Sequence, residues 1–226
     1  GIMTSWIELL DKQIEDQHML KHEFYQRWSE GKLEKQQLQA YAKDYYLHIK
    51  AFPCYLSALH ARCDDLQIRR QILENLMDEE AGNPNHIDLW RQFALSLGVS
   101  EEELANHEFS QAAQDMVATF RRLCDMPQLA VGLGALYTYE IQIPQVCVEK
   151  IRGLKEYFGV SARGYAYFTV HQEADIKHAS EEKEMLQTLV GRENPDAVLQ
   201  GSQEVLDTLW NFLSSFINST EPCSCK

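Results

Sequence analysis

The stretch HQEADIKH at residues 171–178 lies inside a helical pattern and carries three candidate metal ligands. His171, Asp175 and His178 are four and three residues apart, a spacing that puts them on one face of a helix. The two imidazoles are roughly 10 Å apart along the helix axis, so they cannot easily meet at one ion. This face suits two metal ions better than one. A solvated polar face with two exposed histidines is the simpler interpretation of the motif taken alone.

Helical spacing continues on both sides of this stretch. Apolar residues recur at intervals of three and four in nearly every segment, and alternating strand patterns are nearly absent. Caps and breakers divide the chain into about eight helices. We therefore predict an all-α bundle in one domain over residues 1–218, with a flexible, cysteine-containing tail at 219–226.

The charge and composition of the chain exclude several partners. Its 226 residues carry a formal net charge of −13, which repels nucleic acid. No stretch approaches the roughly 18 consecutive apolar residues that span a bilayer, and the N-terminus lacks a secretion-signal pattern. We expect a cytoplasmic protein with no membrane partner. Its six cysteines are therefore predicted to be reduced thiols, and no catalytic role is assigned to the pair in the tail, Cys223 and Cys225.

Two acidic residues and a histidine flank a predicted helix break. Glu79 and Glu80 end one helix, and His86 begins the next after the breaker Gly82-Asn83-Pro84. A helix end that faces a helix start brings such side chains close together. Carboxylates at a helix C-terminus oppose the helix dipole, so one of them gains from a nearby cation. A solvated acidic helix end is the alternative.

Glu140 lies in an apolar and aromatic run, ALYTYEIQIP at residues 135–144. A helix of this composition is buried, and a buried carboxylate must be paired, protonated or bound to metal. A hydrogen bond to a core tyrosine or histidine is the alternative. With the other two groups, Glu140 completes a set of three histidines and three carboxylates. Such a set is typical of a dinuclear iron or manganese site in a helical bundle, and paired redox metals indicate oxygen chemistry.

Tyrosines are frequent in the chain. A phenol beside an oxidising metal pair is a candidate radical or substrate group, whereas most buried tyrosines only pack. Spacing alone cannot choose among the candidates. They are Tyr25, Tyr41, Tyr45, Tyr46, Tyr137, Tyr139, Tyr165 and Tyr167.

Five segments of the chain resemble the CADD family, the chlamydial protein associating with death domains and its bacterial relatives. That family lies within the TenA/PqqC, haem-oxygenase-like superfamily. The resemblance covers nearly the whole chain, and matched runs of this length are highly specific. The segments are LQAYAKDYYLHIKAFP at 38–53, NLMDEE at 75–80, PNHIDLW at 84–90, EKIRGLKEYFG at 149–159 and AYFTVHQEAD at 166–175.

This resemblance implies a haem-oxygenase-like (TenA/PqqC-like) helical bundle that forms a homodimer. It also implies two metal ions, Fe/Fe or Mn/Fe, with molecular oxygen and a reductant as co-substrates. Members of the family make para-aminobenzoate for folate by excising a tyrosine side chain from the protein itself. Here the sacrificed residue would be Tyr25 and the amino donor Lys150, with Tyr41 and Tyr139 as supporting redox tyrosines. The implied metal ligands are Glu79, His86, Glu140, His171, Asp175 and His178.

Other functions within and outside this superfamily make different demands on the sequence. Thiaminase-type relatives use a cysteine just before the position of Glu140, but residues 132–139 contain none. Relatives that complete pyrroloquinoline quinone work without metal and do not require this ligand set. An oxygenase that acts on an external small molecule would use the same ligands and stays open. An interaction protein that binds host death domains is the alternative from a different class, and it would not need the six ligand residues.

Overall fold

The computed structural model describes residues 5–189 and 194–218, and in these ranges the chain is helical with no strand. The predicted all-α fold is confirmed. The predicted count of about eight helices was too low, because helices meet with breaks of one or two residues at Tyr45 and at Ile141-Gln142, and because α2 and α7 are only seven and five residues long. The described residues form α1 (Trp6–Asp16), a 3-10 turn (Met19–Lys21), α2 (Glu23–Ser29), α3 (Lys35–Asp44), α4 (Tyr46–Arg62), α5 (Leu66–Glu80), α6 (His86–Ser96), α7 (Glu101–Ala105), α8 (Gln111–Cys124), α9 (Leu129–Glu140), α10 (Ile143–Phe158), α11 (Ala166–Leu189) and α12 (Pro195–Asn218).

Helix α9 forms the centre of the bundle. All of its residues are buried, and it packs against α8, α11 and α12. A helix that is surrounded by protein must be apolar on every face, which explains the run ALYTYE at its end. Glu140 is the last residue of α9 and is only 1% exposed. Its charge therefore has to be compensated inside the protein.

The loop between α5 and α6 turns the chain so that both helices reach the same region. Asn85 caps α6, since its side chain accepts the backbone N–H of Asp88 at 2.9 Å. The carboxylate of Asp88 accepts the backbone N–H of Asn85 in return. This reciprocal cap makes His86 the first helical residue of α6, and Glu79 lies in the last turn of α5.

Close contact between α2 and α10 holds Lys150 in the core. The indole N–H of Trp28 donates to the carbonyl of Lys150 at 3.2 Å. Gly153, one turn further along α10, has no side chain, and a Cβ there would lie 2.6 Å from Cδ1 and 3.1 Å from the carbonyl oxygen of Trp28. The two helices can therefore approach each other only because residue 153 is glycine.

Several expectations concern the described residues only in part. Cys54, Cys63, Cys124 and Cys147 are free thiols. Cys223, Cys225 and the whole of the predicted tail at 219–226 lie outside the described residues. Within the described ranges, none of the helices combines the length and the apolar character that a bilayer crossing requires.

The substitution Gly153→Ala is expected to lower the stability of the fold. The added methyl group must push α10 away from Trp28, and overpacking of this kind costs about 1–3 kcal/mol. A fall of roughly 5 °C in Tm by circular dichroism would follow for a chain of this length. Gln145→Ala changes an exposed position on the same helix and should leave Tm within about 1 °C. Equal Tm values for the two variants would contradict the close approach.

Candidate metal centre

All six candidate ligands from the sequence lie together in the interior of the bundle. They come from four helices: Glu79 from α5, His86 from α6, Glu140 from α9 and three residues from α11. None is more than 8% exposed. Glu80, the other acidic residue at the end of α5, is exposed. The six candidate ligands that the structure brings together are Glu79, His86, Glu140, His171, Asp175 and His178.

The first group of candidate ligands comprises Glu79, His86 and His171. Nδ1 of His86 lies 2.6 Å from Oε2 of Glu79 and 2.9 Å from Nε2 of His171. Nε2 of His171 lies 3.8 Å from the same carboxylate oxygen. Two imidazole nitrogens and one carboxylate oxygen thus converge on one point. Nitrogen and oxygen atoms that lie this close together are suited to bind a divalent transition-metal ion.

The second group comprises Glu79, Glu140, Asp175 and His178, so Glu79 belongs to both groups. Nδ1 of His178 lies 3.2 Å from Oε2 of Glu140 and 3.4 Å from Oδ1 of Asp175. Oε1 of Glu79 is 4.0 Å from the same nitrogen. His171 and His178 therefore face different groups, as their separation along one helix requires. A carboxylate shared by both groups can bridge two ions.

The charges of these groups fit a pair of cations. Oε1 of Glu79 and Oδ1 of Asp175 are buried and accept no hydrogen bond, although buried carboxylate oxygens are normally satisfied. Burial, followed by the nearby charge of Asp175, raises the pKa of Glu140 to about 7. No lysine or arginine of the described ranges lies among the three buried carboxylates, and against the lowering effect of burial these carboxylates raise the pKa of His171 and His178. A pair of metal ions would neutralise the carboxylates in place of the protons on these two imidazoles. The buried glutamate, aspartate and histidine side chains can therefore bind a metal ion pair.

Asp78 is a part of the centre that sequence reasoning missed. Its Oδ2 accepts from Nε2 of His178 at 3.0 Å, on the ring edge opposite the candidate ligand atom Nδ1. A carboxylate in this position holds the tautomer and the orientation of a ligating imidazole. The sequence does not predict this role, although Asp78 precedes Glu79 in the segment NLMDEE. Adjacent residues of a helix point in different directions, so the two carboxylates are not expected to reach the same site.

Glu182 is a second carboxylate that sequence reasoning missed. It lies on α11, one turn after His178, and is fully buried. Burial and the adjacent charge of Glu140 raise its pKa well above the ordinary value. The signal was available, since Glu182 extends the spacing of His171, Asp175 and His178 by four more residues on the same face.

Lys150 and Tyr25 lie together in a separate part of the core. Tyr25 is 3% and Lys150 is 3% exposed. Nζ of Lys150 donates to the hydroxyl of Tyr41 at 2.5 Å and lies 5.4 Å from the centroid of the Tyr25 ring. The hydroxyls of Tyr25 and Tyr41 are 3.5 Å apart. Burial among these rings lowers the pKa of Lys150 to about 7.

Tyr45 and Tyr139 connect this pair with the candidate ligands. The ring of Tyr45 stacks on that of Tyr41, with centroids 5.2 Å apart and planes 17° apart. The hydroxyl of Tyr45 contacts the hydroxyl of Tyr139. Tyr139 in turn lines a cavity together with Glu79, His171 and Asp175. Tyr45 was only one of eight candidate tyrosines in the sequence, although its spacing of four from Tyr41 indicated a shared helix face.

A narrow cavity of about 260 Å³ lies against the candidate ligands, and only about 10 Å³ of it can take the centre of a water molecule. One water-sized ligand needs about that space. The ring of Tyr167, one wall of the cavity, stacks on His171 with centroids 4.1 Å apart. The residues that line it are His48, Ile49, Phe52, Glu79, Tyr139, Tyr167, His171 and Asp175.

Known protein sequences that resemble this chain identify its family. The model of the TENA/THI-4/PQQC family matches residues 10–221. A protein of Chlamydia trachomatis named 4-aminobenzoate synthase is 57% identical over 225 residues, which cover 99% of this chain and 97% of that protein. The resemblance found in the five sequence segments is thereby confirmed.

Solved structures confirm the fold. A TenA homologue from Pseudomonas syringae pv. tomato superimposes with a TM-score of 0.83 at 18% identity, covering 95% of this chain and 93% of that one. A domain with a haem-oxygenase-like fold from Shewanella denitrificans gives a TM-score of 0.80 at 17% identity, covering 96% and 94% of the two chains. The predicted haem-oxygenase-like bundle is therefore correct. With a family match over nearly its whole length, the chain belongs to the TENA/THI-4/PQQC family.

Proposed function

We propose that this protein makes 4-aminobenzoate (para-aminobenzoate), a folate precursor, from its own Tyr25 with Lys150 as amino donor. The single observation that carries the proposal is the enclosure of these two side chains together, at the end of a tyrosine path that begins beside the candidate metal ligands. The name of the Chlamydia trachomatis relative supports the product. Molecular oxygen is the oxidant, a reductant supplies electrons, and each chain reacts once.

The two groups that share Glu79 would hold an Fe/Fe or an Mn/Fe pair. Imidazole and carboxylate ligands suit both metals, and the buried oxygens without hydrogen-bond donors are the observation that favours ions. Such a pair, when bound, supplies the activation of dioxygen. Asp78 would orient His178 for this task through the ring nitrogen that does not face the ions.

Lys150 provides a nitrogen nucleophile in the required state. Its pKa of about 7 leaves a large neutral fraction near neutral pH, and burial is the cause. A neutral amine has a free lone pair, whereas an ammonium has none. Nζ of Lys150 bonds to the ring carbon that holds the phenolic oxygen of Tyr25, and that oxygen leaves as water. Hydrolysis then breaks the Cε–Nζ bond, so the nitrogen stays on the ring and Cε of Lys150 is left as an aldehyde. The Cα–Cβ bond of Tyr25 breaks, which leaves glycine at residue 25, and dioxygen accepts the electrons released as Cβ is oxidised to the carboxyl carbon and Cε to the aldehyde.

The size of the cavity favours a side chain of the protein over an external substrate. Pockets for small organic ligands usually measure roughly 300–1,000 Å³. The cavity against the candidate ligands offers about 10 Å³ for the centre of a water molecule. Dioxygen or water fits such a space, but a fatty acid or an amino acid does not. A substrate that is already part of the core needs no larger entrance.

The tyrosines between Tyr25 and the candidate ligands are assigned a transfer role. Oxidation of Tyr25 at a distance requires electrons and protons to move between it and the metal site. Tyr139, Tyr45 and Tyr41 form a continuous series of contacts from the cavity wall to Lys150 and Tyr25. Burial raises the pKa of all three tyrosines, so each keeps its proton until it is oxidised.

A homodimer is the expected assembly. Leu66, Leu73 and Met77 on α5 are 48%, 43% and 56% exposed. Their spacing of seven and four puts them along one side of the helix. Covering such an apolar stripe with the same surface of a second copy would remove it from water.

Removal of single ligands should distinguish the two groups. The protein loaded with iron and manganese is expected to hold two ions. Glu79→Ala should lose both because Glu79 belongs to both groups, whereas His86→Ala should lose only the ion in its own group. Plasma mass spectrometry of the desalted protein measures metal per chain. The partly exposed His60 provides a control, and His60→Ala should keep both ions. Full metal content in Glu79→Ala would contradict the bridging role.

Tyr25 should disappear as product forms. After one aerobic reaction with reductant, peptide mass spectrometry is expected to find residue 25 without its aromatic side chain and Lys150 without Nζ. Protein labelled with ¹⁵N-lysine should release ¹⁵N-labelled 4-aminobenzoate, at most one molecule per chain. Tyr25→Phe should give no product and retain both ions, since Tyr25 is not a ligand. Release of product from chains with intact Tyr25 would overturn the self-substrate proposal.

The comparison of two adjacent tyrosines tests the transfer path. Tyr45→Phe keeps the ring that stacks on Tyr41 but removes the hydroxyl that contacts Tyr139. Product formation in a timed single turnover should slow by roughly tenfold or more. Tyr46→Phe, at the neighbouring, partly exposed position, should react at the normal rate. A normal rate in both variants would exclude Tyr45 from the path.

A further inference from the structure

We propose that His48 forms a binding site for one small hydrogen-bond acceptor, dioxygen or a water molecule in its place, in the cavity beside the candidate metal centre. The choice of dioxygen as the ligand rests on the proposed function, whereas the binding site itself is inferred from the contacts of His48. His48 is not a member of either candidate ligand group. It lies on α4, a helix that supplies none of the six candidate ligands.

His48 is a buried polar side chain with one nitrogen left over. It is 0% exposed, and Nε2 has no hydrogen-bond partner. The imidazole is surrounded by aromatic rings, and the closest centroids are those of Phe120 at 4.9 Å and Tyr139 at 5.0 Å. A buried N–H or lone pair without a partner is costly, and such groups in native proteins usually bind a water or a ligand.

The other ring nitrogen determines what Nε2 can do. Nδ1 lies 3.1 Å from the hydroxyl of Tyr55. A phenol is a stronger acid than a neutral imidazole N–H, so the hydroxyl donates and Nδ1 accepts. Among the described residues, Tyr55 shows no other hydrogen-bond partner for this hydroxyl. Burial also lowers the pKa of His48 to about 3, which keeps the ring neutral. Nε2 therefore carries the proton and is a donor.

The cavity provides a place for the acceptor. Nδ1 faces Tyr55, so Nε2 lies on the other side of the imidazole, and His48 is one of the residues that line the cavity, together with Glu79 and Asp175. The space accommodates about one water-sized group. Oε1 of Glu79 and Oδ1 of Asp175 accept no hydrogen bond within the protein. A water can donate to such an oxygen while it accepts from Nε2, and dioxygen can replace it when the ions are present.

The aromatic and apolar groups around His48 strengthen a hydrogen bond from Nε2 to a small ligand. Ile49 and Phe52 line the same cavity with apolar groups, which keeps other waters away. In a site of low polarity, a preorganised N–H donor stabilises developing charge more than it would in water. His48 thus offers the small ligand a fixed hydrogen-bond donor from a residue that belongs to neither candidate ligand group.

Nitric oxide provides a diatomic probe of this site. The iron-loaded protein is titrated with nitric oxide in the absence of oxygen, and the optical spectrum gives the dissociation constant. His48→Leu removes the donor and should weaken binding about tenfold, the effect of one hydrogen bond. His48→Gln restores an N–H group and should recover most of the affinity. Phe120→Leu alters packing on the same imidazole without a polar change and should bind normally.

Metal analysis separates failure of this proposal from failure of the proposed function. If His48→Leu and His48→Gln hold the normal amount of iron and bind nitric oxide as tightly as the unaltered protein, the site is wrong, whether or not 4-aminobenzoate is made. If the unaltered protein takes up no metal, the proposed function fails, and a high-resolution crystal structure then tests the site. An ordered water within hydrogen-bond distance of Nε2, absent in His48→Leu, would support it. An Nε2 with no such water would overturn it.

Discussion

Mutual repulsion of carboxylates inside the bundle is the constraint on which the rest of the structure depends. Glu79, Glu140 and Asp175 come from three different helices and meet in the interior of the bundle, where each is at most 3% exposed. Such a cluster is stable only with positive charge among its members. Against the lowering effect of burial, the carboxylates raise the pKa of His171 and His178, so these two imidazoles provide part of that charge. Glu79, common to both groups, makes two cations the natural complement. The packing of α5, α6, α9 and α11 therefore depends on how the charge of this cluster is compensated.

Sequence reasoning found the parts of the site that are governed by local rules. The spacing of His171, Asp175 and His178, the apolar run around Glu140 and the helix break before His86 all depend on a single helix or loop. Family resemblance was needed to single out Tyr25 and Lys150. The helix count was underestimated because the break at Tyr45 contains neither glycine nor proline to mark it.

The remaining features depend on contacts between distant segments. Lys150 has charged neighbours in sequence, Glu149 and Arg152, and its burial arises only when α2 brings Trp28 and Tyr25 against α10. The unpaired nitrogen of His48 also depends on tertiary contacts, since it is buried only when the surrounding helices have packed together. The role of Asp78 likewise depends on a contact between distant segments, because its hydrogen bond with His178 connects α5 with α11. Sequence spacing contains no information on such pairs.

The burial of Tyr25 among Phe24, Trp28 and Tyr41 has a consequence for the fate of each molecule. Loss of a large aromatic side chain from a packed core costs about 3–5 kcal/mol, a sizeable share of the stability of an ordinary domain. If Tyr25 is consumed as proposed, a chain that has given up this side chain would unfold more often and be degraded sooner. Spent copies would then be cleared by proteases, and the supply of product would be set by the rate of protein synthesis.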